Sequence, residues 1–270
     1  MNRIDKTFAA LKAGNRKALI TYIMAGDPDI AASLECAHEL AKHADVLEIG
    51  MPFTDPMADG PAIQAAGLRA LTNKIGVKEV LNFVQQFRSK NSDTPIVLMG
   101  YFNPVLAYGV DKFCIDCNRL GVDGLIIVDI PPEEANEIVP KAQQNNIAFV
   151  RLLTPTTDID RAAKIAQNAS GFLYYISIAG VTGAASADPV KVGKHIAALK
   201  TKTDLPIVAG FGIKTPADAS AMAAIADGVI VGSALVQLVA DNAGKPGLAA
   251  KLGKLASSLA GAVRGVKNAA

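Results

Sequence analysis

Apolar and polar positions follow two rhythms along this chain. Eight short runs are nearly continuous in apolar character: ALITYIMAG (18–26), DVLEIGMP (45–52), PIVLMGYFN (95–103), GLIIVDIP (124–131), NIAFVRLLTP (146–155), GFLYYISIAG (171–180), PIVAGFGI (206–213) and GVIVGSAL (228–235). Runs of this kind suit parallel strands covered on both faces. Between them lie segments of helical period. DIAASLECAHELAKH places Ile30, Leu34, Ala37 and Ala41 on one stripe. PPEEANEIVPKAQQNN opens with prolines and acids, a helix-start signal. Strand then helix, eight times over, predicts an α/β fold, a (β/α)8 TIM barrel. Its length suits one barrel domain over residues 1–270. An open doubly wound sheet would carry G-x-G-x-x-G in its first strand–helix turn. That turn reads AGDPD instead. Residues 3–11 predict an extra N-terminal helix plugging the barrel bottom. Leu248, Leu252, Leu255, Leu259 and Val263 share a stripe that predicts a terminal helix docked on the barrel wall, in preference to one lying on a membrane surface.

Composition narrows the partners. Formal net charge is +2, and no cluster of Lys and Arg is interleaved with aromatics, so nucleic acid is not expected. No apolar run approaches the ~18 residues of a membrane span, and residues 1–11 lack the apolar core of a secretory leader. Three cysteines in a chain this long indicate a reducing compartment and a cytoplasmic protein. Cys114 and Cys117 have C-x-x-C spacing but sit in a helical segment, 110–119, with no second pair of ligands, so no metal is expected there.

The second run carries a carboxylate where an apolar residue belongs. Alternation puts Val46, Glu48 and Gly50 on one face and Leu47, Ile49 and Met51 on the other. Glu48 then points into the mouth of the barrel, where the active site of this fold forms. Desolvation there should raise its pKa and suit it to acid–base work near neutrality. The competing reading is a structural Glu paired with a buried cation. Arg151 is the one basic residue on neighbouring strands near the mouth. Asp55 and Asp59 follow in a loop rich in Pro and Gly, and Asp59 is also placed to cap a helix starting near Pro61. Asp129 ends the fourth run. GVTGA (180–184), GFG (210–212) and GSA (232–234) lie at adjacent strand ends and predict a phosphate-bearing substrate held by backbone amides. His38, His43 and His195 fall in helical segments and cannot assemble a metal cluster. No Lys lies in the C-terminal half of a strand, so a Schiff base is not expected. Carbon–carbon cleavage here would need acid–base chemistry on a substrate with its own electron sink.

LEIGMPFTDPMADGPAIQ (47–64), together with GDPD (26–29), IVDIPPEE (127–134), GVTGA, GFGIKTP (210–216) and GSAL (232–235), resembles the tryptophan synthase alpha chain family in order and spacing. The resemblance spans essentially the whole chain. It implies cleavage of indole-3-glycerol phosphate to indole and glyceraldehyde 3-phosphate, in tryptophan biosynthesis. It implies that Glu48 shuttles protons at indole C3 and the glycerol hydroxyl, that Asp59 holds the ring N–H, and that Tyr174 is an active-site tyrosine. Tyr22, Ile63, Met99, Ile126, Asp129 and Phe211 match positions lining the indole pocket. Gly183, Gly212, Gly232 and Ser233 match phosphate-binding positions, and Asp55 a loop residue nearer a partner. Ile178 departs from the pattern, standing where some members carry a basic residue. The family carries no cofactor or metal in this chain. It works in an alpha2beta2 heterotetramer with a beta chain that holds pyridoxal phosphate and takes the indole. A stand-alone indole-3-glycerol-phosphate lyase would share every motif. Other phosphate-sugar barrels would share the glycine loops without the carboxylate-rich loop, and a catalytically silent barrel would not need both Glu48 and Asp59.

Overall fold

The computed structural model describes residues 2–176, 189–210 and 212–266. Its strands are β1 (Ala18–Met24), β2 (Val46–Gly50), β3 (Ile96–Gly100), β4 (Gly124–Ile127), β5 (Ala148–Phe149), β6 (Arg151–Leu153), β7 (Leu173–Ile176), β8 (Ile207–Gly210) and β9 (Gly228–Val231). All pair in parallel, in the order β5-β4-β3-β2-β1-β9-β8-β7-β6. The two ends of that order are consecutive in the chain, with Val150 alone between them. Val150 still donates its N–H to Leu125 at 2.9 Å. The fifth apolar run is thus one stretch that pairs with β4 along its first half and with β7 along its second. That switch of partner closes the (β/α)8 barrel, because the stagger of a closed sheet offsets its strands along the axis.

Alternation sorts the strand residues into two cores. Ala18, Ile20, Val46, Val97, Ile126, Val150, Val208 and Ile230 fill the barrel. Leu19, Leu47, Ile49, Leu98, Leu125, Phe149 and Val229 face the surrounding helices. The helix Arg3–Ala13 closes the bottom, adding Ile4, Phe8 and Leu11 to the inner core. Phe8 packs on Phe172 with ring centroids 5.6 Å apart. Asn2 caps this helix and donates to the carbonyls of Asp123 (2.6 Å) and Asn146 (2.9 Å), which anchors the plug to the strand starts.

Two helical segments differ from their sequence patterns. The helix Ile30–Leu40 buries Ser33, Cys36, Ala37 and Leu40, while Ile30, Leu34 and Ala41 are only partly buried. Ser33 turns inward because its hydroxyl accepts the Gly26 N–H at 3.1 Å, and this rotates the stripe. Residues 132–144 form a 3-10 turn, Pro132–Glu137, and then a separate helix, Val139–Gln144. Pro140 has no N–H to donate into a continuing helix and instead starts a new one. The terminal helix Leu248–Arg264 docks as its stripe predicts. It buries Leu248, Leu252, Ala256, Leu259, Ala260 and Val263 against the helices Ile30–Leu40 and Pro216–Ala223, with Leu255 at the margin. None of the described helices is long and apolar enough to cross a membrane.

Candidate active site

Glu48 is the third of the five residues of β2, two before its end, in register with Tyr22 of β1 and Val97 of β3. Its side chain is turned to the barrel interior and is 1% exposed. Among the described residues its Oε2 has no hydrogen-bond partner, and no basic side chain forms an ion pair with it. Arg151 does not reach it. That guanidinium lies on the outward face of the sheet and donates to the Ile130 carbonyl at 2.8 Å. Burial, with the Asp59 charge second, pushes the Glu48 carboxyl up to about 8. A group so placed is mostly protonated at neutral pH and can change state there.

Asp59 reaches the same space from the loop 51–60. The following helix, Pro61–Thr72, has Gly60 as its N-cap with no side-chain cap, so the Asp59 carboxylate is not used for capping. The loop is held by its backbone. Asp59 N–H donates to the Pro56 carbonyl at 3.0 Å, and the Asp59 carbonyl accepts from Gln64 Nε2 at 2.9 Å. Burial raises the Asp59 carboxyl to about 6, with the Tyr101 hydroxyl holding it back. Two carboxyl groups, Glu48 buried and Asp59 half-buried, are thereby separated in protonation state. Near pH 7 Glu48 is chiefly the acid and Asp59 chiefly the anion, the arrangement that lets one site run acid and anion chemistry together.

Tyrosines surround the pair. Tyr22 lies over Gly50, where an added Cβ would fall 2.1 Å from the hydroxyl. Tyr174 lies over Gly210, where a Cβ would fall 2.6 Å from the ring. Both phenols are pushed well above their usual range, by burial first and then by Glu48 and Asp59, so they remain neutral donors. Tyr101 is a third, absent from the sequence-based set. It is 2% exposed and directly follows β3. Its hydroxyl accepts the Ala58 N–H at 3.0 Å, and its ring packs on Phe53 at 5.3 Å. The available signal was its position, a phenol at a strand's C-terminal end.

The remaining candidates divide by location. Ile126 is fully buried in the inner core, and Met99 is half-buried between the inner and outer cores. Ile63 is half-buried on the helix Pro61–Thr72. Asp129 is exposed at the rim, and its Oδ1 accepts the Phe102 N–H at 2.8 Å. Asp55 is exposed at the loop tip, where Thr54 donates to it at 2.5 Å. Gly212 has φ +77°, which favours glycine. Gly232 precedes the helix Ser233–Asn242 without a side-chain cap, and its carbonyl takes the Leu235 and Val236 N–H groups. The first amides of a helix have no partner within the helix itself, so an N-terminus without a side-chain cap can take an anion. Phe211, Gly183 and Ile178 lie outside the described residues. His38 and His195 sit on helices and His43 in a turn. His38 stacks on Phe87 and His195 bonds the Tyr175 hydroxyl. Among the described residues no three His, Cys, Asp or Glu side chains converge on a metal position.

The family model for the tryptophan synthase alpha chain matches residues 8–264. This chain belongs to the tryptophan synthase alpha chain family. Structural relatives agree. A tryptophan synthase subunit alpha from Legionella pneumophila str. Paris is 42% identical, covers 98% of this chain and 100% of its own, and superposes with TM-score 0.91. A structure from Aquifex aeolicus VF5 is 37% identical over 98% and 100% of the two chains, with TM-score 0.90. A tryptophan synthase from M. tuberculosis, in an aminoacrylate-bound form, is 32% identical over 98% and 100%, with TM-score 0.86. As a tryptophan synthase alpha chain, the protein is a carbon–carbon lyase that cleaves indole-3-glycerol phosphate.

Proposed function

We propose that Glu48 and Asp59 carry out that cleavage as a proton shuttle and a fixed anion. Protonated Glu48 delivers its proton to C3 of the indole, and the ring nitrogen takes up positive charge. Asp59 accepts the ring N–H and offsets that charge, which is worth most in a water-excluded site. Glu48, now a carboxylate, removes the proton of the glycerol hydroxyl next to C3. The C–C bond breaks, its electron pair neutralises the ring cation, and indole and glyceraldehyde 3-phosphate separate. Glu48 ends protonated, as it began. The observation that carries this reading is a buried carboxyl at the middle of β2 whose Oε2 has no partner among the described residues, raised to about 8 beside a second carboxylate.

Tyr22, Tyr174, Met99, Ile126, Ile63 and Phe211 are read as the walls of the indole pocket, with Asp129 at its rim. Gly212, Gly232, Ser233 and Gly183 are read as the phosphate cradle, supported by the uncapped helix Ser233–Asn242. Residues 1–270 are read as one barrel domain, since all the strands belong to one sheet. We also assign the chain to a cytoplasmic alpha2beta2 complex whose beta chain holds pyridoxal phosphate and receives indole, with Asp55 on the side of that partner. The match to synthase alpha chains does not favour the stand-alone lyase. An indole-release assay with indole-3-glycerol phosphate, with and without a beta chain, tests the whole reading. Stimulation by the beta chain supports it, and full turnover unmoved by any beta chain supports the stand-alone enzyme.

A further inference from the structure

Arg151 is a charge in the wrong layer. It is the first residue of β6, on the outward face between Phe149 and Leu153, both fully buried. The residue is 4% exposed. Its guanidinium lies 4.7 Å over the Phe149 ring. Nη1 donates to the Ile130 carbonyl at 2.8 Å, while Nε and Nη2 have no partner among the described residues. Glu133, the acid whose charge it feels, is held by Arg161 through both oxygens. A buried cation with open donors is destabilising, and an aliphatic side chain would suit this layer better. A residue that breaks a local rule without a gain in stability points to function.

The one hydrogen bond it makes among the described residues leads to the mouth. Ile130 belongs to the loop after β4. Its neighbour Asp129 accepts the Phe102 N–H at 2.8 Å. Phe102 follows Tyr101, whose hydroxyl accepts the Ala58 N–H at 3.0 Å. Ala58 adjoins Asp59. One hydrogen bond at each junction thus ties the barrel wall to three successive loops. We propose that Arg151 is a positioning residue, holding the loop after β4 from behind and, through the loops after β3 and β2, setting Asp59 in place. Without Arg151 the Ile130 carbonyl, on a residue 6% exposed, loses its donor and the loop has reason to shift. Small displacements of a catalytic group cost rate steeply.

The inference rests on the reading of Asp59 given above, so the test has one arm that involves no catalysis. Arg151→Leu is compared with the parent chain, both with saturating beta chain, for kcat, KM, Tm and amide hydrogen exchange. The expected result is an unchanged or higher Tm, kcat lower by about 10-fold, KM moved less, and faster exchange at the Phe102 and Ala58 amides. Arg151→Lys, which keeps a donor for Ile130, should recover most of kcat. Should Leu not fold, Arg151→Met keeps the stem length and carries the same readouts. A folded variant with kcat within twofold of the parent, or with the Phe102 and Ala58 amides protected as before, overturns the proposal. Faster exchange with unchanged kcat would keep the brace and fault the role given to Asp59, and so overturn Arg151 as a positioning residue.

Discussion

The barrel buries a carboxylate at each end and treats the two in opposite ways. At the bottom, Asp123 is 3% exposed and fully engaged. It accepts from Arg3 Nη1 at 2.9 Å, Arg88 Nη2 at 2.8 Å and the Ile96 N–H at 2.9 Å. Arg88 satisfies its other donors on the carbonyls of Gly121, Asn91 and Thr94. At the mouth, Glu48 is 1% exposed, and its Oε2 has no partner among the described residues. Similar burial therefore has different consequences. A matched charge ties strand starts to the helix plug, whereas an unmatched carboxyl keeps its proton up to about pH 8 and can change state near neutrality. This is the division of labour expected of the two faces of such a barrel, stability below and chemistry above.

The sharpest way to break the comparison is to neutralise each carboxylate. Glu48→Gln is nearly isosteric and removes the titrating group. Cleavage should fall roughly 10²- to 10⁴-fold, with Tm unchanged or raised, as steady-state rates and thermal melts will show. A rate within a few-fold of the parent would sink the shuttle. Asp123→Asn should do the reverse. Breaking a buried ion pair from one side costs about 3–5 kcal/mol, so urea midpoints should drop sharply while turnover per folded molecule holds. Loss of turnover without loss of stability would refute the structural role.

Next in size come the pH effects. The proposed first step needs Asp59 ionised and Glu48 protonated, so kcat/KM should rise through about pH 6 and fall above about pH 8. Stability responds as well. The Glu48 carboxyl is raised from 4.5 to about 8 on folding, so between those values the folded state binds more protons than the unfolded one and stability falls as pH rises. Glu48→Gln should flatten that decline, and parallel stability–pH curves for the two proteins would contradict the assigned environment. The smallest effect is expected at the phosphate end. A Cβ on Gly232 would sit 3.4 Å from the Tyr22 Cβ, tight but free of backbone clash. Gly232→Ala should therefore fold and weaken glycerol 3-phosphate binding by about 1 kcal/mol or less, a few-fold, by partly screening the amides. Calorimetry showing unchanged affinity would move the cradle elsewhere. Gly212 is the poorer test, since its φ of +77° strains any replacement.

What the sequence determined by itself is whatever repeats with a local period. Eight apolar runs implied eight barrel strands, and a period of two put Glu48 on the inner face, because side-chain direction in a strand follows from position alone. The motifs at strand ends carried the family. What only the tertiary structure decided depends on neighbours far away in the chain. The stripe of the helix Ile30–Leu40 turned because Ser33 meets Gly26. The fifth run changes partner at Val150 because barrel closure offsets the strands, and no local pattern encodes that offset. Tyr101 gained its place beside Asp59 from a hydrogen bond spanning 43 residues. Glu48 needed the most help from the fold. Its charge and its inward direction were legible, but the lack of a partner for its Oε2 among the described residues was not. Whether a buried carboxylate is paired or alone depends on every side chain around it, and Arg151, the one strand cation near enough to matter, faces the other way.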